Sequence, residues 1–177
     1  MSNLKIEELN SFKQGKDRQL GRLLTKSHRF IRAIAGEFLR SKGYVNFRVG
    51  HMVALIHIDL QGSSINTLAH LAGVTKQAMS KLVKELQDEG YVTTEKHQND
   101  ARIMVVKLSE KGVDCMLDWK ECSAMIEEKI MGIIDRDKLE QLKDILFSLA
   151  NYYENNLELG MDSTYLNTNL VDGKTTC

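Results

Sequence analysis

A chain of 177 residues can bury one ordinary core with helical additions but not two large domains. Hydrophobic residues make up 42% and charged residues 27%, a globular balance, and no apolar run reaches the roughly eighteen residues that a membrane-spanning helix needs. The formal net charge is zero, yet residues 1–42 carry ten Lys+Arg against four Asp+Glu, and residues 113–177 carry six against thirteen. Such a split leaves a basic face available to polyanions while the acidic segment is held away from them; two differently charged solvated helices fit the same counts.

Residues 1–15 mix Lys5, Glu7, Glu8 and Lys13 with isolated leucines, which does not resemble a secretory signal. A cytoplasmic protein with no membrane partner is expected. From Lys16 to Lys42, Leu20, Leu23, Leu24, Ile31, Ile34 and Phe38 recur at helical spacing, predicting a long amphipathic helix that ends near Gly43. Phe47 to Leu60 predicts a second, mostly buried helix with Val49, Met52, Val53, Ile56 and Leu60 on one stripe and Leu55 and Ile58 on another.

A short helix comes next, with Asn66 as its cap and Leu68, Ala69, Leu71 and Ala72 as its apolar face before Gly73. Thr75 is a good N-cap for the next helix, which runs to about Glu89 with Met79, Leu82, Val83 and Leu86 inward. After Gly90 the period changes. Tyr91 to Thr94 and Ile103 to Leu108 favour strand, with a polar loop from Lys96 to Arg102 between them. Ser109 caps a helix from about Glu110 to Ile133, and Asp135 or Asp137 begins a last one in which Leu139, Leu142, Ile145, Leu146, Leu149 and Tyr153 repeat at three and four. Beyond Gly160 the sequence is rich in Ser, Thr, Asn and Gly, and a mobile tail is expected.

The order is mainly α with a small β-hairpin: two helices joined by a tight turn, then a hairpin. A helix that enters the DNA major groove keeps one face for its own core and offers short polar or cationic groups on the other. Here Thr75, Lys76, Gln77, Ser80, Lys81 and Lys84 are left outward, while Glu85, Asp88 and Glu89 fall in the later turns. At about 22 Å such a helix is long enough for a groove about 12 Å wide. An ordinary amphipathic surface helix has the same pattern; the short helix before it and the hairpin after it favour the DNA reading. In Asp100-Ala101-Arg102, the arginine can reach a narrow minor groove and the aspartate can hold its guanidinium, although a surface ion pair closing a turn needs the same two residues.

Residues from about Asn46 to Gly112 resemble the winged helix-turn-helix of the MarR family of bacterial regulators. The resemblance is carried by I-N-T-L-A-H-L-A-G-V-T, S-K-L-V-K-E-L-Q-D-E-G-Y-V and N-D-A-R-I-M-V-V-K-L-S-E-K-G, and it extends less specifically over residues 16–159. It implies a homodimer on a pseudo-palindromic operator in double-stranded DNA. It also implies that Asp100 and Arg102 are the family's Asp-x-Arg wing pair. The organisation expected is an N-terminal dimerisation helix (1–45), a DNA-binding lobe (46–112), C-terminal dimerisation helices (113–160) and a tail (161–177). One departure is Thr93, Thr94 and Glu95 where family members often carry arginines, so wing contacts fall to Lys96 and His97 or are weaker.

Cys115 and Cys122, seven apart on one helical face, read as buried small hydrophobes and not as a redox pair; with Cys177 they are too few and too scattered for a disulfide framework. His28, His51, His57 and His70 lack the close spacing of a structural zinc site and read as partly exposed polar residues. Phe30, Phe47, Met52, Met116 and Trp119 are candidates for lining an effector cavity, for which the resemblance implies a small aromatic or anionic molecule; such positions also serve as core. No phosphate loop, nucleophile elbow or zinc-protease motif is present. The reading is a transcriptional regulator, most simply a repressor, with no enzymatic activity and no cofactor or metal. The alternative is a winged-helix protein-interaction module that does not bind DNA sequence-specifically.

Overall fold

The computed structural model describes residues 3–97 and 100–156. In chain order the elements are α1 (Asn3–Gly15), α2 (Leu20–Ser41), α3 (Met52–Leu55), β1 (Ser63–Ser64), α4 (Ile65–Leu71), α5 (Lys76–Asp88), β2 (Val92–His97), β3 (Asp100–Leu108), α6 (Glu110–Met131) and α7 (Arg136–Asn156). The expected class holds: a mainly helical chain with one small antiparallel sheet, whose strand order is β1-β3-β2. Among the described residues no helix is long and apolar enough to cross a membrane.

The apolar stripes read from the sequence converge on one core. Leu68 of α4, Met79, Leu82, Val83 and Leu86 of α5, Tyr91 and Val92 at the start of β2, Val106 of β3 and Cys115 of α6 are buried together with Phe47, Met52 and Leu55. A smaller cluster of Ala35, Cys122 and Ile126 joins α2 to α6. At the end of α2 the Lys42 ammonium lies 3.1 Å from Asp118 and 2.7 Å from Glu121 of α6. The Tyr44 hydroxyl donates to Asp118 at 2.6 Å.

Several expectations are corrected. The helix expected from Lys16 begins as a single 3-10 turn over Lys16–Arg18, and α2 starts only at Leu20, after Gln19 adopts an extended conformation. The segment before it, not assigned a structure from sequence, is helix α1, wholly exposed. The single helix expected over Phe47 to Leu60 is a 3-10 turn (Val49–His51) followed by the four-residue α3. Its inward face carries Met52, Ala54, Leu55 and Ile58, whereas Ile56 and Leu60, expected on the main stripe, are exposed. The chain beyond α3 is held by Ser63, whose hydroxyl accepts from the Asp59 amide (2.9 Å) and donates to the His57 carbonyl (3.3 Å). These bonds fold the chain away from the helix axis. Ser64, not Asn66, caps α4, accepting the Thr67 amide at 3.1 Å. The hairpin strands also run further than expected, through Lys96 and His97 on one side and from Asp100 on the other. The tail expected over residues 161–177 lies outside the described residues.

Candidate nucleic-acid interface

α4 and α5 are joined by a turn that Gly73 makes possible. Its φ of +62° is a conformation side chains disfavour, and it lets the Val74 amide reach back to the Ala69 carbonyl at 3.0 Å. Thr75 then caps α5 as expected, its hydroxyl accepting the Ala78 amide at 3.1 Å. With Met79, Leu82, Val83 and Leu86 fixed in the core, the helical period decides what lies outward. Thr75, Lys76, Gln77, Lys81 and Lys84 are exposed and Ser80 is half-buried. Among the described residues none of the three lysines forms an ion pair, so their charge is available to a ligand.

The acidic end of α5 is occupied elsewhere. Glu85 takes a close contact from the Arg48 guanidinium and faces His51 Nε2 at 3.0 Å; Glu89 accepts from Asn46 Nδ2 at 3.1 Å. The hydrogen bond to His51 and the adjacent Arg48 charge hold the Glu85 carboxyl below its ordinary range, against the opposing effect of partial burial. His51 is itself buried, with 3% of its surface exposed, which corrects its reading as a partly exposed residue. Its Nδ1 accepts the Arg48 backbone N–H at 3.2 Å, so the ring proton belongs on Nε2, facing the carboxylate. Sequence reasoning missed Arg48 and His51 as members of this surface's support. A signal exists: Phe47, His51 and Leu55 recur four residues apart in the sequence, and all three are buried.

The wing is the β2–β3 ladder, running from Val92↔Leu108 to Lys96↔Met104, with an irregularity between Lys96 and His97 and a final pair His97↔Asp100. That places Lys96, His97 and Arg102, all exposed, at its far end. Glu95, the acidic residue of β2, is neutralised by Lys107 at 2.7 Å. Asp100 opens β3, and its side chain lies outside the described part of the structure, so the expected pairing with Arg102 does too.

A cleft of about 330 Å³ lies beside this lobe, lined by His28 and Arg32 of α2, by Val49, Gly50, Met52, Val53, Ile56 and His57, by Leu71 and Ala72 at the end of α4, and by Trp119 of α6. Of the five residues suggested for an effector cavity, Met52 and Trp119 line it. Phe47 and Met116 belong to the core, and Phe30 is exposed on α2 away from the lining. Cys115 and Cys122 are fully buried; burial pushes the Cys115 thiol up to about 12 and raises Cys122, the opposite of what a reactive thiolate requires. Among the described residues no three His, Cys, Asp or Glu side chains are grouped to hold a metal ion.

A tight two-helix turn followed by the β2–β3 wing of a three-stranded sheet defines the protein as a winged helix-turn-helix. Residues 45–103 match the MarR family: the lobe is a MarR-family one, and the chain as a whole has the MarR-like fold. A MarR transcriptional regulator from Methanosarcina mazei is 24% identical, with a TM-score of 0.63 over 80% of this chain and 98% of its own. CouR from Rhodococcus jostii, solved bound to p-coumaroyl-CoA, is 21% identical, with a TM-score of 0.62 over 76% and 93%. BpsR from Bordetella bronchiseptica, whose DNA binding is regulated by 6-hydroxynicotinic acid, is 15% identical, with a TM-score of 0.63 over 76% and 94%. No curated protein is similar enough to match.

Proposed function

We propose that this protein is a transcriptional regulator that binds a pseudo-palindromic operator as a homodimer, acting as a repressor whose DNA affinity changes when a small aromatic or anionic effector enters the cleft. The observation that carries the reading is the outer face of α5: Lys76, Lys81 and Lys84 exposed without ion-pair partners among the described residues, beside Thr75, Gln77 and Ser80. Lysines supply attraction to phosphate and contacts to guanine, and Gln77 has the donor and acceptor pair that matches adenine. In this reading Lys96, His97 and Arg102 reach the flanking backbone and minor groove, with Asp100 orienting Arg102.

The homodimer is supported by apolar surface that one copy leaves open. Leu20, Leu23 and Leu24 on α2 and Ile145, Phe147 and Leu149 on α7 are all exposed, and exposed apolar side chains gathered on helix faces are what a partner surface covers. Pairing through these terminal helices sets two α5 helices about 34 Å apart, one turn of duplex. The effector reading draws on His28, Arg32 and His57, which bring cationic and hydrogen-bonding groups into a cleft otherwise lined by apolar side chains.

Selection of bound duplexes from a random pool tests the proposal. The expected result is enrichment of an inverted repeat whose half-site centres lie about 10 base pairs apart. A pool that stays unenriched after repeated rounds would turn the assignment toward a protein-interaction module.

A further inference from the structure

Glu85 is the point at which the DNA-facing helix is tied by hydrogen bonds to the wall of the cleft. The stretch Arg48–Ile56 presents Val49, Met52, Val53 and Ile56 to the cleft and Arg48 and His51 to Glu85. His51 cannot turn without losing its ring contacts, the Arg48 amide on Nδ1 at 3.2 Å and, at Nε2, Glu85 at 3.0 Å and the Arg48 guanidinium at 3.2 Å. The Phe47 ring, edge-on with centroids 5.2 Å apart, closes its remaining side. Along α5, Glu85 stands four residues beyond Lys81 and eight beyond Gln77, which puts all three on one edge of the helix. The buried stripe of Met79, Leu82, Val83 and Leu86 sets which face of α5 lies outward. The hydrogen bonds at Glu85 add a directional tie between that helix and the cleft wall.

We propose that Arg48 and His51 are positioning residues for the recognition helix, transmitting a change in the cleft wall through Glu85 to Lys81 and Gln77. The functional part rests on the reading of α5 as the DNA-contacting helix; the mechanical part does not. Ile56 lines the cleft and is half exposed, so Ile56→Trp fills the cleft without burdening the core.

Amide hydrogen exchange of residues 79–86 is compared in the natural protein, Ile56→Trp, Glu85→Ala and the double variant, with circular dichroism confirming the fold. Ile56→Trp is expected to change these exchange rates about threefold or more where Glu85 is retained and to leave them within about twofold once Glu85→Ala is present. An equal change in both backgrounds, or none in either, overturns the proposal. Val53→Phe, in the same wall, provides a second filling should Ile56→Trp destabilise the fold. Fluorescence anisotropy of the same four proteins with a mixed-sequence duplex at low salt is the functional counterpart. A loss of affinity of about threefold from Ile56→Trp, confined to the background with Glu85, supports the link to DNA. No duplex binding by any of the four, with the exchange coupling intact, sinks the DNA reading while upholding the tie.

Discussion

Asp118 and Lys42 show how single side chains fasten the end of α2 to α6. Asp118 receives the Tyr44 hydroxyl and the Lys42 ammonium, and these partners, the Tyr44 hydrogen bond first, hold its carboxyl below the ordinary 3.8 despite the opposing effect of partial burial. A depressed carboxyl contributes stability that is complete above its unfolded value and is lost as pH falls through its folded value. The natural protein should therefore exceed Asp118→Asn by about 1 kcal/mol in urea unfolding at pH 7, and the gap should close as the pH drops below about 4. A gap that persists unchanged into acid would show that the asparagine disturbs packing and that charge is not the source. Lys42 behaves in the opposite sense. Its hydrogen bonds to Glu121 and Asp118 raise it above 10.5, so its contribution is present below that value and is lost only in strong alkali.

At the scale of elements, the features legible in the sequence are those that local chemistry decides. Thr75 and Ser109 cap α5 and α6 as read, because each is followed by a regular apolar period and the hydroxyl needs only the amide three residues on. The Ser64 cap and the short α3 were not legible, because both depend on partners distant in sequence. Ser63 and Ser64 pair with Val106 and Val105 of β3, which sets Ser64, and not Asn66, at the helix entrance. Nothing within residues 47–60 announces that Ser63 will draw the chain out of its helix. The long strands escaped for a similar reason: Lys96, His97 and Arg102 have polar, turn-like character, and cross-strand pairing overrides it.

Gly112 illustrates the same dependence on tertiary contact. Read only as part of a family-like segment, it lies where a Cβ would come within 2.1 Å of the Tyr91 carbonyl oxygen. This is the joint where Ser109 also bonds the Gly90 carbonyl at 2.6 Å and Lys111 the Glu89 carbonyl at 2.7 Å. Gly112→Ala must push α6 off the start of the wing, at a cost of about 2–3 kcal/mol of unfolding free energy. A loss below about 0.5 kcal/mol would mean the joint yields more easily than the close approach implies.

Over the whole molecule, the winged helix-turn-helix lobe was the most readable part and the terminal helices the least. Most of the main core is built within the lobe, so its apolar periods point at one another. The outer leucines of α2 and the apolar face of α7 have no cover within the described chain, which gives their periodicity no partner to be read against. The account as a whole turns on charge presented by α5. The most direct measurement of it is the salt dependence of affinity for a selected duplex, in the natural protein and in Lys76→Ala. Each lysine that neutralises a phosphate adds close to one to the slope of log affinity against log salt. The natural protein should show a steep slope, and Lys76→Ala should bind more weakly with a slope lower by about one. Equal affinities and equal slopes in the two proteins would contradict the account.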